Sequence, residues 1–222
     1  MPPIMSLIHP STRHPFLSTM NGARMCFALP YHTPFAVRLS NLNSASYGAR
    51  LAVVMGVDGR NVIDNTSASK DGQAYVVRGD EHLCLGFRTS ETGVREFIFL
   101  PNGAGTVAEH NGTADSHGLI SVVIYNEAAP EPTLRLGGML STASFRGGET
   151  RSSSGGAGAG REVASHVSST HFVRQTIVHS SIIEYDTRES WAQRGVFFQR
   201  DTHDAWPGDA PKFSQNLDAP LR

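Results

Sequence analysis

Three runs of sequence decide the fold: LAVVMGVDGRNVIDN (51–65), QAYVVRGDEHLCLGFR (73–88) and VREFIFLP (94–101). Each run is rich in β-branched and aromatic residues and is bounded by residues that favour turns. Asp58-Gly59 predicts a tight hairpin, because glycine tolerates the positive φ angle that such a loop requires. The spacing of roughly ten residues between runs is typical of an antiparallel sandwich or barrel.

Further strands are predicted on both sides of this stretch. Residues 35–41 alternate apolar and polar side chains, which is the period of a half-buried strand. Residues 51–57 are apolar on both faces, so we expect this strand to be covered on each side. The other predicted strands are 61–63, 74–77, 82–88, 94–100 and 118–125. We therefore predict an all-β fold, an antiparallel, jelly-roll-like β-sandwich with its core in residues 35–126.

Segments of a different composition flank this core. Six prolines among residues 1–34 block a long helix or a central strand, so we predict an extended N-terminal arm there. Residues 127–162 are predicted to be a Pro/Gly/Ser-rich bridge, and the run GGAGAG (155–160) lacks the Lys-Ser/Thr ending of a phosphate-binding loop. Residues 200–222 are predicted to be an extended C-terminal tail. Whether the bridge separates two domains or is one long loop stays open at this point.

A second structured piece is predicted at residues 163–199. Two strands are expected within it, 170–178 and 181–186, joined by a tight turn at His179-Ser180. Because two strands alone are marginally stable in water, we expect this pair to pack on the core and to add to its sheet.

A short C-terminal helix is predicted to follow at residues 187–194. Thr187 is the residue type that caps the first turn of a helix, because its hydroxyl oxygen can accept a hydrogen bond from a free backbone N–H. Gly195 is expected to end the helix.

Composition excludes some partners. The formal net charge is -1 and charged residues make up 18% of the chain, so we expect neither nucleic acid nor a membrane as a partner. No apolar run reaches the roughly 18 residues that span a bilayer, and residues 1–10 lack the pattern of a signal peptide. Cys84 alternates with leucines, which predicts a buried free thiol, and whether it pairs with Cys26 stays open.

The order of several motifs resembles an uncharacterised family of proteins from bacteria and large DNA viruses. The segments that carry the resemblance are PFAVRLSN, LAVVMGVDGRNVID, GQAYVV, LGFRTSETGVREFIF, GAGREVASHVSSTHFVRQT and SIIEYDTRESWAQRGV. They match a pattern of a VDG turn, a Gly-Tyr strand, a Gly-Trp-Arg strand and a later GxGRE segment followed by Tyr-Asp. The resemblance covers residues 35–196. This chain has Ala74 in place of the glycine and Phe87 in place of the tryptophan, and the resemblance implies no catalytic residues.

The histidines do not form a metal-binding pattern. His171 and His179 would share one face of a strand, but eight residues of strand separate them by more than about 20 Å. Ligation with His166, or with His110 or His117 brought close by the fold, has no support in the spacing. A G-x-S-x-G nucleophile motif is also missing. We therefore predict no catalytic, cofactor-binding or metal-binding residue, and no cofactor.

Three functions are carried forward. The first is a non-enzymatic structural component of a large assembly, in its most specific form a viral minor capsid or decoration (cement) protein. Its arms would bind a major capsid-like protein and copies of itself, and it would be located in the virion, or otherwise in the cytoplasm. The second is a β-sandwich module that binds carbohydrate or protein through aromatic residues: Tyr31, Tyr47, Trp191 and Trp206. The third is an enzyme with an unrecognised His/Asp/Ser site.

Overall fold

The computed structural model describes residues 4–42, 50–110, 116–128 and 153–198, and it is a sandwich of two β-sheets. The predicted all-β sandwich is therefore confirmed. In chain order the strands begin with β1 (Ile4–Ile8), β2 (Leu17–Asn21), β3 (Arg24–Ala28), β4 (Pro34–Ser40), β5 (Leu51–Val57), β6 (Arg60–Asn61) and β7 (Tyr75–Val77). They continue with β8 (His82–Cys84), β9 (Gly86–Arg88), β10 (Gly93–Pro101), β11 (Leu119–Glu127), β12 (Gly155–Ala164) and β13 (Arg174–Asp186). Two short helices are α1 (Val107–His110) and α2 (Arg188–Gln193).

The two sheets differ in strand order. The first sheet has six strands in the order β1-β4-β10-β12, with β8 paired to β4 and β9 paired to β10. The second sheet has seven strands in the order β2-β3-β13-β11-β5-β6, with β7 paired to β5. β13 and β3 run parallel, whereas the other pairs of described strands are antiparallel. The second sheet is therefore mixed, where the sequence predicted only antiparallel strands.

The core lies between the sheets, and β5 contributes to it along its whole length. All seven residues of β5 are buried. Val53 and Met55 belong to the main core, and Val54 belongs to a smaller cluster on the outer face of the second sheet. The prediction that residues 51–57 are covered on both faces is thus confirmed.

The N-terminal segment is not an extended arm. Residues 4–28 form three strands: β1 pairs with β4, β2 with β3, and β3 with β13. Leu7 and Phe27 are buried in the main core. The prediction failed because the prolines delimit strands instead of preventing them: Pro10 and Pro15 flank the loop between β1 and β2, and each of these strands is a proline-free run of five residues.

The bridge is also shorter than predicted, because its glycine-rich part is a strand. Residues 155–164 form β12, which pairs antiparallel with β10 over nearly its whole length. Glycine is needed where the neighbouring backbone is close: a Cβ atom on Gly155 would lie 2.2 Å from the carbonyl oxygen of Leu100. The low-complexity run therefore reflects close backbone packing, not a linker. The rest of the predicted bridge, from residue 129 to residue 152, lies outside the described residues, as does the predicted tail 200–222.

The predicted strand pair after residue 170 is one strand of 13 residues, β13. His179 pairs with Ile124, but the next pair joins Ile177 to Tyr125, so the register shifts at Val178. The polar pair His179-Ser180 thus lies beside a β-bulge and not in a turn. As expected, β13 adds to the sheet of the core.

The C-terminal helix is confirmed. The Thr187 side chain accepts a hydrogen bond from the backbone N–H of Ser190, and Gly195 ends the helix with a φ angle of 76°. Trp191, on this helix, is buried against the second sheet, where it packs with Cys26 and Ala28.

Both cysteines are buried, and they do not form a disulfide with each other. Cys84 is in the main core, as predicted, and Cys26 lies on the outer face of the second sheet beside α2. Burial raises the pKa of the Cys84 thiol to about 12, so this cysteine stays protonated and behaves as a small apolar side chain.

Candidate functional site

Buried polar side chains gather around Asp58, at the tip of the hairpin between β5 and β6. Asp58 has a φ angle of 50° and Gly59 one of 74°, so both residues of the turn adopt the left-handed conformation. This is the hairpin predicted from Asp-Gly. Aspartate tolerates the left-handed region better than most side chains do, and here the turn directs its carboxylate into the protein, where it is fully buried.

The Asp58 carboxylate accepts hydrogen bonds from three other parts of the chain. Oδ1 accepts from the backbone N–H of Gly118 at 2.9 Å and of Leu119 at 3.3 Å, and Oδ2 accepts from Ala157 at 2.5 Å. The Tyr185 hydroxyl lies 2.8 Å from both oxygens. Ala157 belongs to β12 of the first sheet. Leu119 and Tyr185 belong to strands of the second sheet, and Gly118 comes directly before one of them, so this one carboxylate joins the two sheets.

Burial dominates the protonation of this carboxyl. It raises the pKa of Asp58 from 3.8 to about 7, although the hydrogen bonds from Ala157, Tyr185, Gly118 and Leu119 act in the opposite direction. The same surroundings hold the pKa of Tyr185 well above its ordinary value, first through burial and then through the negative charge of Asp58.

A second part of the cluster contains His117 and Thr106. The His117 Nε2 atom lies 2.8 Å from the Thr106 hydroxyl. Thr106 also caps α1, since its hydroxyl oxygen accepts from the backbone N–H of Glu109, and the Glu109 carboxylate accepts from the N–H groups of Thr106, Gly103 and Gly105. This is a capping box, and the bond from Gly103 is the main reason that the pKa of Glu109 is lowered. The spacing Thr-x-x-Glu is a sequence signal for the start of α1.

Gly156 of β12 separates the two parts. A Cβ atom on Gly156 would lie 2.7 Å from the Asp58 Oδ2 atom and 2.6 Å from the His117 Cδ2 atom. Any other residue would therefore push the carboxylate and the imidazole away from β12. The glycine run, whose composition is that of a linker, therefore allows the Asp58 and His117 side chains to pack directly against β12.

A second buried carboxylate, Asp186, follows Tyr185 in the chain. It accepts from the backbone N–H of Thr187 at 2.7 Å and of Ser154 at 3.2 Å, and from the hydroxyls of Ser154 and Ser190. Arg194 completes its shell with an ion pair of 2.5 Å. These bonds attach α2 to the end of β13 and to the residue before β12.

The cluster contains residue types that catalyse acyl transfer, namely a hydroxyl, an imidazole and a carboxylate in Thr106, His117 and Asp58. All three are at most 5% exposed. The neighbouring cavity has a volume of about 10 Å³, which is room for about one water molecule. It is lined by His117, Gly118, Leu119, Ser153, Glu184, Tyr185, Trp191 and Arg194. The hydrogen bonds of Asp58, Thr106 and His117 join the turn after β5 to β12, β13 and α1, so the cluster connects segments that are far apart in the sequence.

The histidines considered from sequence are scattered. His166, His171 and His110 are exposed, and His179 is half-buried in β13, where burial lowers its pKa. His117 alone of this set enters the cluster around Asp58. Across residues 4–42, 50–110, 116–128 and 153–198, no three His, Cys, Asp or Glu side chains converge in a way that could hold a metal ion.

The aromatic residues proposed as a binding platform do not form one in the described part of the chain. Trp191 is 1% exposed, and its Nε1–H donates to the carbonyl oxygen of Phe27 at 2.9 Å. Tyr31 is more exposed, stacks on Phe99 and donates to a backbone carbonyl oxygen. Tyr47 and Trp206 lie outside the described residues.

No family model, no curated protein and no solved structure matches the chain. The resemblance to bacterial and viral proteins therefore stays a prediction. Within the ranges that the structure describes, neither helix has the length and apolar character that crossing a membrane requires.

Proposed function

We propose that this chain is a non-enzymatic structural subunit of a larger protein assembly. The observation that supports the proposal is the pair of strands that end the two described sheets, β2 and the first part of β1, whose last two residues already pair with Pro15 and Phe16. Their sequences, IMSLI and LSTMN, contain neither a charged residue nor a proline. Isolated domains usually protect such edges with lysine, proline or a bulge, because an open edge pairs with other chains. Ile4 is 41% exposed and Met20 is 58% exposed, so apolar surface accompanies the two edges.

The proposed partners are copies of this chain and a major capsid-like protein. In its most specific form, the proposal is a minor capsid or decoration protein of a virion, and the sandwich fold is compatible with that role. The contacts differ from the sequence-based hypothesis: residues 4–28 belong to the sandwich, so the edge strands take the place of an N-terminal arm as the binding surface.

The buried cluster supports a structural role over the enzymatic alternative. Asp58, Thr106 and His117 are enclosed, and their hydrogen bonds connect strands and α1. The carbohydrate-binding alternative is not favoured by a specific observation either, because Trp191 is occupied in packing α2 against the second sheet.

Self-association of the purified chain tests the proposal. We expect sedimentation velocity to show concentration-dependent assembly, and Met20→Lys, which puts a charge beside the β2 edge, to weaken it by at least about tenfold. Thr176→Lys is the matched control, because Thr176 is an exposed strand residue of the second sheet away from β2. Circular dichroism confirms that both variants fold. A wild-type chain that stays monomeric at all accessible concentrations would contradict the proposal.

A further inference from the structure

Two Asn-Gly pairs lie in exposed turns of the described chain, and their surroundings differ. Asn21-Gly22 is at the turn between β2 and β3, and Asn102-Gly103 follows β10. We propose that Asn21 is a site of spontaneous covalent modification, at which its side-chain amide is converted to aspartate and isoaspartate, whereas Asn102 is protected.

The reaction needs only water and the neighbouring backbone. The Gly22 backbone nitrogen loses its proton to a base and attacks the side-chain carbonyl carbon of Asn21. A new N–C bond closes a five-membered succinimide, and the side-chain nitrogen leaves with a proton as ammonia. Water then opens the ring at either carbonyl, which produces aspartate or isoaspartate. Glycine favours the attack because a residue without Cβ leaves the nitrogen accessible and the backbone free to rotate.

The turn at Asn21 leaves both reacting groups open. Gly22 has a φ angle of 60°, and no atom of the described residues lies within 4 Å of the position of a Cβ at this residue. Among the described residues, neither the Asn21 side chain nor the Gly22 N–H has a hydrogen-bond partner. The nitrogen and the carbonyl carbon can therefore approach each other without breaking a hydrogen bond of either group, and the backbone pair that must adjust is the terminal one of the hairpin, Asn21 with Arg24.

The turn at Asn102 holds the same two groups apart. The Asn102 Nδ2 atom donates to the carbonyl oxygen of Ser153 at 2.7 Å, and the Gly103 N–H donates to the Glu109 carboxylate at 2.7 Å. Attack by the Gly103 nitrogen requires both bonds to break. The bond to Glu109 also keeps the proton on this nitrogen, because the proton lies between it and an anionic acceptor.

Conversion of Asn21 changes the end of β2. The product carries a new negative charge opposite Arg24, which pairs with Glu184 at 2.6 Å. An isoaspartate also inserts one additional backbone atom at the turn, which shifts the register between β2 and β3. The change is confined to a terminal strand, so the sandwich itself is preserved.

Peptide mapping of the intact protein, aged at neutral to mildly alkaline pH, tests the proposal. Tryptic peptides 14–24 and 96–135 contain the two sites, and fragmentation in the mass spectrometer assigns the modified residue. We expect Asn21 to convert at least about tenfold faster than Asn102, a difference of about 1.4 kcal/mol in the barrier. Asn111-Gly112, in the second peptide, lies outside the described residues and is assigned separately by the fragments.

Two controls establish that the structure causes the difference. In urea the folded contacts are lost, so the rates at Asn21 and Asn102 should converge. Glu109→Ala releases the Gly103 N–H, and the rate at Asn102 should then rise toward that at Asn21. Equal rates in the folded protein, or a difference that persists in urea, would overturn the proposal.

Discussion

β5 and β12 are both buried strands, but they exclude water in opposite ways. β5 fills the space on both of its faces with leucine, valine and methionine side chains. The first four residues of β12 are equally buried, although three of them are glycines. In β12 other residues occupy the space instead, since a Cβ atom on Gly155 would lie under 3.0 Å from the Leu100 backbone and one on Gly156 under 3.0 Å from the His117 and Asp58 side chains. A strand is thus buried either because its own side chains fill the space around it or because it lacks side chains where other residues already fill that space.

Asp58 connects the two strands, and its removal should have the largest effect. Asp58→Ala leaves four donors without their acceptor, of which the three buried ones cost about 1–3 kcal/mol each, and it places alanine at a positive φ angle. We expect a loss of about 4 kcal/mol in the free energy of unfolding, measured with urea. Asp58→Asn keeps one acceptor oxygen and tolerates the turn, so it should lose about half as much. A loss under about 1 kcal/mol for alanine would show that the carboxylate does not hold the strands together.

Truncation of a core side chain in β5 should have the second largest effect on stability. Met55 is 1% exposed in the main core, and Met55→Ala should cost about 3 kcal/mol through lost apolar burial and the cavity left behind. Met20→Ala is the exposed control and should change stability by less than about 0.5 kcal/mol. Equal effects at the two positions would contradict the assignment of β5 to the core.

Added methyl groups should destabilise β12, where space is missing. Gly155→Ala meets the Leu100 backbone at 2.2 Å, whereas Gly158→Ala meets a methyl carbon of the Leu100 side chain at 2.3 Å. Because a side-chain end can rotate away and backbone cannot, we expect losses of about 2 kcal/mol and about 1 kcal/mol, respectively. Thermal unfolding of both variants checks this order. Stabilisation by either substitution would instead indicate the flexible linker predicted from composition.

The smallest expected effect is a pH dependence. The folded-state pKa of Asp58, about 7, lies above its ordinary value of 3.8, so the folded protein retains a proton that the unfolded chain releases. The stabilisation that this proton contributes is complete below the ordinary pKa of 3.8, and it is lost as the pH rises through the folded-state pKa of about 7. Between about pH 5.5 and about pH 6.5 the free energy of unfolding should fall by about 1 kcal/mol relative to Asp58→Asn, which removes the titration. If the free energy of unfolding depends on pH in the same way for the wild type and for Asp58→Asn, Asp58 is not the cause of the pH dependence.

The strands predicted correctly are those whose signal is the alternation or continuity of apolar residues. β4, β5, β10 and β11 begin and end within two residues of the predicted bounds. For β5 both bounds agree, because its apolar run is closed by the Asp-Gly turn. These strands are stabilised by burial of their own side chains, and the local order of apolar and polar residues indicates such burial.

The strands that sequence reasoning missed depend on distant parts of the chain. β12 looks like a linker because the reason for its glycines, the nearby β10 backbone and Asp58, is far away in sequence. β1 and β2 were hidden by prolines that lie between strands. The role of Asp58 was missed for the same reason as β12: its turn was recognised, but nothing local indicates that the carboxylate points inward.

The bonds of Asp58 also imply an order of events during folding. Its donors Gly118, Ala157 and Tyr185 lie 60, 99 and 127 residues further along the chain. Contacts of such separation form slowly, because long loops must close before any bond compensates for the lost entropy. A carboxylate stripped of water before those donors arrive would be strongly unfavourable. The Asp58 turn can therefore form early as a hydrated hairpin, but its carboxylate must remain in water until β12 and β13 are in place, so the joint between the sheets is completed last.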